Sequence, residues 1–318
     1  MAAINIPSFY RRLGDKQDKI LDDLDRIHVD TLSKALRMLE RDVVRALQDA
    51  PIRGGVLWDT KWAIQFRKQL SEDFSNKYNP WAQKTVDSYN DSAKGINRIF
   101  GNLDLDDDFT RVDKSVINNL KQQYFHGFQD LGERFVNEMA DATYQAVLTG
   151  RRFEDLVVDL QQAINGVHIE TAESKELVAF VDKYRNDPDK EEQVAVAIEK
   201  LHTQFAQDMV GNNLRRYASQ MVHDSLMQFN GTYTRHKARE AGLDHFLYYG
   251  SLIRDSRSFC EKHAGKIYTT EQAEKIWKEQ RWTGKSGTDP FIDRGGYNCR
   301  HHFIPVDPEH YQELTEEL

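Results

Sequence analysis

The stretch VDTLSKALRMLERDVVRA, residues Val29–Ala46, decides the fold class of this chain. Its apolar side chains recur every three or four positions, so they share one stripe of an α-helix. The stripe consists of Val29, Leu32, Leu36, Leu39, Val43 and Ala46. The pattern predicts a long amphipathic helix with one buried face, and the breakers Pro51 and Gly54-Gly55 predict its end.

The same helical pattern continues beyond this stretch. A second helix is indicated by an apolar face that consists of Trp62, Phe66, Leu70 and Phe74. Pro80 predicts a new helix start there, because proline favours the first helical position. A long helix is expected from about Asp113 to Gly150, and another over Leu214–Glu240. Most of the chain is therefore expected to be helical.

The region after Gly242 has a different composition. His245–Tyr249 is a short aromatic run typical of a strand, and glycines become frequent after it. The sequence therefore predicts a mainly α protein, with an elongated long-helix N-terminal region and a small C-terminal α+β module. The predicted divisions are an N-terminal helical region over 1–110, a long-helix region over 111–242 and a small β-containing Cys/His module over 243–318.

The composition argues against several classes of protein. The 318 residues carry a net charge of -8, whereas an electrostatic DNA-binding protein needs a local excess of Lys and Arg. No run of about 18 apolar residues occurs, so neither a membrane span nor a membrane partner is expected. The N-terminus has no long apolar run, so no secretory signal is expected either. Two cysteines are too few for a disulfide framework and favour a reducing compartment.

Two short Cys/His pairs in the last quarter of the chain carry the candidate chemistry. Cys260 and His263 form a Cys-x2-His pair, and Cys299 and His301 form a Cys-x-His pair. Together they offer four ligands that suit a structural zinc ion in tetrahedral coordination. His302 competes with His301 for the fourth position. Because residues two apart on a strand share a face, His301 is preferred as the partner of Cys299.

Other interpretations of these residues stay open. Both cysteines can be small buried thiols that serve packing alone. A disulfide between Cys260 and Cys299 is a further alternative, which a reducing compartment disfavours. A metal-dependent nuclease would use His301, His302 and Asp293 as general base and metal ligands, but no complete nuclease motif is present.

Complete motifs for other catalytic chemistry are also missing from the sequence. There is no Walker A loop, no GxGxxG motif and no GxSxG motif. Paired carboxylates occur only on predicted helix surfaces, where they are usually solvated. The sequence therefore predicts that this chain is not an enzyme.

The order of motifs in the C-terminal third resembles the signature of a known family. A helix over Asn213–Asp224 is followed by a glycine stop, the aromatic run, an Asp-x-Arg segment, the first Cys/His pair, a Trp-containing spacer and an Asn-Cys-Arg-His segment. This order is similar to the C-terminal signature of the Mu-F-like minor head protein family of tailed phages. The matching positions are Asp255, Arg257, Cys260, His263, Gly265, Cys299, Arg300 and His301.

The resemblance covers about Asn213–Pro305, which is under a third of the chain. Many relatives have Cys where this chain has His263 and His301, and both histidines remain suitable zinc ligands. A Pro-rich approach to the last cysteine is replaced here by the segment Gly295-Gly-Tyr-Asn. That loop is therefore expected to differ from the family pattern.

The resemblance implies a structural role and no reaction. Members of the family are minor proteins of the phage head that associate with the portal and act in head morphogenesis and DNA packaging or ejection. The implied partners are the portal protein, the major capsid protein and packaged viral DNA. The implied location is the virion head near the portal, with the host cytoplasm during assembly. The alternative function is a metal-dependent nuclease or another DNA-processing enzyme.

Overall fold

The chain is mainly helical and ends in a small region that contains an antiparallel sheet, so the predicted fold class is confirmed. The computed structural model describes residues 6–168, 209–210, 213–254, 256–296 and 299–316, together with scattered residues between 176 and 197. Asp255 and Asn298, two positions of the family signature, lie outside the described residues. No described helix combines the length and the apolarity needed to cross a membrane.

Long helices dominate the N-terminal part of the chain. They are α1 (Ser8–Gln48), α2 (Thr60–Asp87), α3 (Tyr89–Asn102), α4 (Arg111–Thr149) and α5 (Phe153–Asn165). A short hairpin of β1 (Ile52–Arg53) and β2 (Val56–Leu57) follows α1. The stripe residues Leu32, Leu36 and Leu39 are fully buried, as their helical spacing predicts. Gly54 and Gly55 adopt positive φ angles in the hairpin turn, which only glycine does at low cost.

Helix α2 runs through Pro80, where the sequence predicted a new helix start. The residues around the proline are buried, since Tyr78, Trp81 and Ala82 expose 5% of their surface or less. The packed face of the helix therefore continues across Pro80. Tertiary packing of this face outweighs the cost of the helical hydrogen bond that proline cannot make.

The C-terminal part alternates short strands and helices after one more long helix. Its elements are α6 (Leu214–Glu240), β5 (His245–Tyr249), α7 (Ser258–His263), β6 (Ile267–Thr269), α8 (Thr270–Glu279), α9 (Pro290–Asp293), β7 (His302–Val306) and α10 (Pro308–Glu316). A separate two-stranded pair, β3 (Val167–His168) and β4 (Met209–Val210), precedes α6. The strands β6, β5 and β7 form one antiparallel sheet in that order, with β5 in the centre.

The alternation of side chains along β5 gives this sheet two different faces. Tyr248 pairs with Phe303 of β7, and their rings lie 4.9 Å apart on one face. Leu247 and Tyr249 point to the other face, where the Tyr249 hydroxyl donates to the backbone oxygen of Arg11 at 3.3 Å. One face of the sheet is therefore covered by α1. The other face contacts residues of α7 and of the loop before β7.

By their internal contacts the residues form two compact units that interleave along the sequence. The first unit comprises 1–31, 81–128 and 220–318, and the second comprises 32–80 and 129–219. The predicted divisions at 110 and 242 follow changes in composition, whereas these units do not. The difference arises because residues far apart in sequence share one core.

The core of the first unit shows how the sheet depends on distant helices. Tyr10 and Leu13 of α1 and Ile99 of α3 belong to the same buried cluster as Leu247 and Ile304 of the sheet. A composition-based boundary near residue 243 cannot reveal this sharing, since burial depends on contacts distant in sequence. The C-terminal α+β segment is thus part of a larger unit.

Candidate metal centre

Three ligating side chains meet on the Tyr248 face of the C-terminal sheet. Cys260 lies in the short helix α7. The N–H of Cys299 donates to the backbone oxygen of Gly296 at 3.1 Å. His301 comes immediately before β7. We call the set Cys260, Cys299 and His301 the cysteine cluster.

The donor atoms of the cysteine cluster lie close enough to share one ion. The two sulfurs are 3.7 Å apart, and the Cys299 Sγ is 3.7 Å from the His301 Nδ1. All three donor atoms lie within 4.8 Å of one another. The three side chains are buried, with Cys260, Cys299 and His301 exposing 2%, 3% and 4% of their surface. The cysteine cluster can therefore hold a metal ion in a site closed to bulk water.

Two further residues shape the space around the sulfurs. The Tyr248 hydroxyl lies 3.4 Å from the Cys260 Sγ and 3.7 Å from the Cys299 Sγ, and its ring stacks on His301. Gly295 passes so near that a Cβ there would lie 2.4 Å from the Cys260 Sγ and 2.8 Å from the Cys299 Sγ. Only glycine permits this approach, because real Cβ atoms do not come so close to other atoms.

The electrostatic surroundings make one thiol more acidic than the other. The hydrogen bond from the Cys260 thiol, aided by His301 and Arg294, lowers the pKa of Cys299 below its ordinary value. The same hydrogen bond, together with burial, raises the pKa of Cys260. Arg294 is 1% exposed, and its guanidinium lies 3.4 Å from the Asp224 carboxylate. A thiolate at Cys299 is therefore favoured beside a thiol at Cys260.

The structure does not bring His263, the fourth residue of the predicted zinc set, to the cysteine cluster. His263 ends α7, and its Nδ1 lies 2.6 Å from the Tyr268 hydroxyl. Its Nε2 lies 3.0 Å from the Gln280 Oε1. Both ring nitrogens thus have polar partners, and burial lowers the pKa of His263. This ring ties α7 to β6 and to the end of α8.

His302 faces away from the sulfurs, towards α1. Its Nδ1 lies 3.2 Å from the Asp18 Oδ1. Burial lowers the pKa of His302 to about 3 and raises the pKa of Asp18 to about 7, so both shifts favour the neutral forms. The Asp293 carboxylate accepts from the Asp289 N–H at 2.9 Å. Within the part of the chain that the structure describes, His301, His302 and Asp293 form no common cluster.

A second group of ligating side chains lies where α4 begins and α6 ends, and we call Asp113, His236 and Glu240 the aspartate cluster. The His236 Nε2 is 3.2 Å from the Asp113 Oδ1 and 3.6 Å from the Glu240 Oε2. The Lys237 ammonium is 3.4 Å from the Asp113 Oδ2. Burial raises the pKa of Asp113, but hydrogen bonds from Thr110 and the charge of Lys237 outweigh it and lower the pKa overall. A cation of the protein, Lys237, therefore lies beside this cluster.

Three residues of the candidate metal centre escaped prediction from the sequence. The aromatic run predicted a strand at Tyr248 but not its contact with both sulfurs. The loop that contains Gly295 was expected to differ from the family pattern, but the close approach of Gly295 to the thiols was not predicted. Nothing in the sequence indicated that Arg294 would be buried beside Cys299.

Comparison of the chain with family models, curated proteins and solved structures gives no match.

Proposed function

We propose that this chain is a structural minor head protein of a tailed bacteriophage. It associates with the portal protein and acts in head morphogenesis and in DNA packaging or ejection, with the major capsid protein and packaged viral DNA as neighbours. It resides in the virion head near the portal and passes through the host cytoplasm during assembly. No catalytic step is assigned to it.

The observation that carries this proposal is the meeting of two motif segments in one buried cluster. Cys260 comes from the first segment of the Mu-F-like signature, and Cys299 and His301 come from the last. Residues 39 positions apart meet at 3.7 Å, which supports reading the two segments as one functional unit. The motif order then supports membership of a family whose role is structural.

We further propose that the ion held by the cysteine cluster is zinc. Two thiolates that each bind zinc at about 2.3 Å in a tetrahedron lie about 3.8 Å apart, and a thiolate and an imidazole lie about 3.6 Å apart. The corresponding distances here are both 3.7 Å. Soft sulfur donors combined with imidazole are typical zinc ligands. When bound, the ion supplies charge neutralisation and a cross-link between α7 and the loop before β7.

The burial of the site favours a structural ion over a catalytic one. A catalytic zinc site keeps one position open to water or substrate. Here the Tyr248 hydroxyl lies beside both sulfurs, and Tyr248 itself is fully buried. Tyr248 therefore closes the side of the site beside the sulfurs, and His263 is not close enough to supply a fourth donor. A closed site agrees with a role in stability, because metal binding at such sites is coupled to folding.

The zinc proposal is tested by elemental analysis and X-ray absorption of protein purified without chelator. We expect about one zinc per chain, with about 2.3 Å to sulfur and 2.0–2.1 Å to nitrogen. Less than about a tenth of a zinc per chain would leave the cysteines as packing residues and refute the zinc assignment.

The structural role is tested separately, by locating the protein in particles. We expect it to co-purify with the portal protein in heads assembled without tails. Recovery from tails only, or only as free protein, would refute the location. Plasmid cleavage that needs Mg²⁺ or Mn²⁺ and disappears in His301→Ala or His302→Ala would instead support the nuclease alternative.

A further inference from the structure

A cleft of about 460 Å³ lies beside α8 in the first unit, and no residue of the cysteine cluster lines it. Three of its lining residues are cationic, namely Lys278, Arg281 and Lys285. Two are acidic, Glu274 and Asp289. We call this space the cationic cleft.

The two carboxylates of the cationic cleft are already paired with a cation. Arg235 of α6 donates one guanidinium nitrogen to Glu274 and another to Asp289, and its side chain is only 13% exposed. Counting Arg235, four cationic side chains face two carboxylates, so the cleft carries an excess of positive charge. The acids are therefore occupied and do not neutralise the lining lysines and arginine.

The lining cations themselves lack anionic partners within the described residues. Lys278 and Arg281 form no ion pair there, and both are exposed. The Lys285 ammonium donates to the backbone oxygens of Trp277 and Gln280 and lies 4.8 Å from the centre of the Trp282 ring. Burial, together with the nearby charge of Arg281, lowers the pKa of Lys285. Like charges held together without a counterion indicate a place for an anion.

A second observation points to the same space and does not depend on charge. Trp277 lines the cationic cleft and is 2% exposed, yet its indole Nε1 has no hydrogen-bond acceptor among the described residues. Buried N–H groups nearly always find an acceptor, because a buried N–H group without a hydrogen bond costs free energy. The Nε1 is itself buried from solvent, so an acceptor atom supplied by a ligand in the cleft would meet this need after a small movement of the indole ring.

The rim of the cleft is held in a fixed conformation. Gly287 has a φ angle of 70°, and a Cβ there would collide with the Asp293 carboxylate. That carboxylate accepts from the Asp289 N–H at 2.9 Å, so it is engaged with the loop backbone. Thr288 also lines the cleft, and its hydroxyl is a further donor in this rim.

We propose that the cationic cleft binds a phosphate group, either free or as part of a DNA backbone. A phosphate oxyanion accepts hydrogen bonds from guanidinium, ammonium, hydroxyl and indole groups, which are the donors that line this space. Arginine suits such a ligand well, because its planar fork matches two phosphate oxygens. The inference is independent of the proposed function, since none of these residues belongs to the cysteine cluster.

The test is a titration of the full-length protein labelled with ¹⁵N in its tryptophan indoles. The probes are inorganic phosphate, pyrophosphate and a short DNA duplex, and the Trp277→Phe variant assigns the indole resonance. We expect a saturable shift of the Trp277 indole N–H. The double variant Arg281→Ala, Lys278→Ala is expected to weaken binding about tenfold or more, because it removes two charge-assisted donors. The matched control is Lys275→Ala, which removes an exposed lysine of α8 that does not line the cleft.

The three probes separate the two sources of phosphate. Saturation by phosphate or pyrophosphate without binding of the duplex supports a free phosphate ligand. Binding of the duplex with competition by pyrophosphate supports the DNA backbone. The proposal is overturned if no probe shifts the Trp277 resonance, or if Lys275→Ala weakens binding as much as the double variant. Should Trp277→Phe not fold, calorimetric titration of the double variant against the control gives the same decision.

Discussion

The cysteine cluster and the aspartate cluster both bring three ligating side chains within 4.8 Å in the first unit, but they differ in how their charge is balanced. The aspartate cluster lies beside Lys237, whose ammonium is 3.4 Å from the buried carboxylate of Asp113. The cysteine cluster has two sulfurs face to face, and the nearby Arg294 is shared with Asp224. The aspartate cluster is neutralised by a cation of the protein itself, whereas the cysteine cluster is suited to neutralisation by a metal ion.

This contrast shows that proximity of ligating side chains does not by itself indicate a metal site. The donors of the aspartate cluster are hard oxygens and an imidazole, and the ammonium of Lys237 is already paired with the Asp113 carboxylate. The donors of the cysteine cluster are two soft sulfurs and an imidazole, in a pocket that exposes at most 4% of each residue. Donor chemistry and the presence of a protein cation are therefore what separate the two clusters.

Removal of one sulfur is expected to have the largest effect. The variant Cys299→Ser should lose its zinc and destabilise the C-terminal sheet by several kcal/mol, because metal binding at a closed site is coupled to folding. The readouts are zinc per chain and near-ultraviolet circular dichroism, while most helical signal should remain. The matched control is Asp113→Asn, which should keep its full zinc content. Equal zinc in both variants would contradict the distinction between the clusters.

Removal of the Asp113 carboxylate is expected to lower the free energy of unfolding by about 3–5 kcal/mol, because it leaves the charge of Lys237 buried without an anion. Lys237 is 4% exposed and Asp113 is fully buried. The measurement is the free energy of unfolding of Asp113→Asn in urea. Adding Lys237→Met should restore much of the loss, since the uncompensated charge is removed. Failure of the second substitution to restore stability would argue against charge balance as the cause.

A methyl group placed against the two sulfurs is expected to have an intermediate effect. Gly295→Ala brings a Cβ to 2.4 Å from the Cys260 Sγ, so the loop or α7 must shift. We expect a loss of about 1–3 kcal/mol, as in other overpacked sites, together with weaker zinc retention against a chelator. Gly54→Ala is a useful comparison, because a Cβ there meets no atom within 4 Å and only backbone strain applies. Unchanged zinc retention in Gly295→Ala would refute the close approach.

Substitution of the histidine outside the cysteine cluster is expected to have a smaller effect. His263→Gln should lower the free energy of unfolding by about 1 kcal/mol, because the hydrogen bonds of the imidazole to Tyr268 and Gln280 are lost. This variant should keep its zinc. Elemental analysis beside His301→Gln makes the comparison direct, since that variant is expected to lose zinc. Loss of zinc in His263→Gln would restore the four-ligand set predicted from the sequence.

The smallest expected effect is a pH dependence confined to the aspartate cluster. Because the folded-state pKa of Asp113 is lowered, its stabilising contribution is present above the ordinary value of 3.8 and is lost as the pH falls through the lower folded value. The free energy of unfolding of the native protein should therefore fall more steeply than that of Asp113→Asn below pH 3.8. Parallel pH profiles for the two proteins would show that the charge of Asp113 contributes nothing.

Much of the helical architecture and part of the candidate site could be predicted from residue patterns. The stripe over Val29–Ala46 follows from the helical repeat, and the stop glycines after α4 and α6 follow from their tolerance of positive φ angles. The identities of Cys260, Cys299 and His301 as candidate ligands follow from their donor chemistry, which any metal-ligand search would notice. These features are local, so they can be predicted from the sequence without knowledge of the fold.

The grouping of these elements depended on tertiary contacts. Packing carries α2 through Pro80, joins Tyr10 of α1 to the C-terminal sheet, and turns His263 towards Tyr268 and Gln280 and away from the sulfurs. It also places Tyr248 against both thiols. Spacing along the chain limits only how far two residues can be apart. Which side chains meet is decided by the close packing of the whole unit, in which each contact depends on residues distant in sequence.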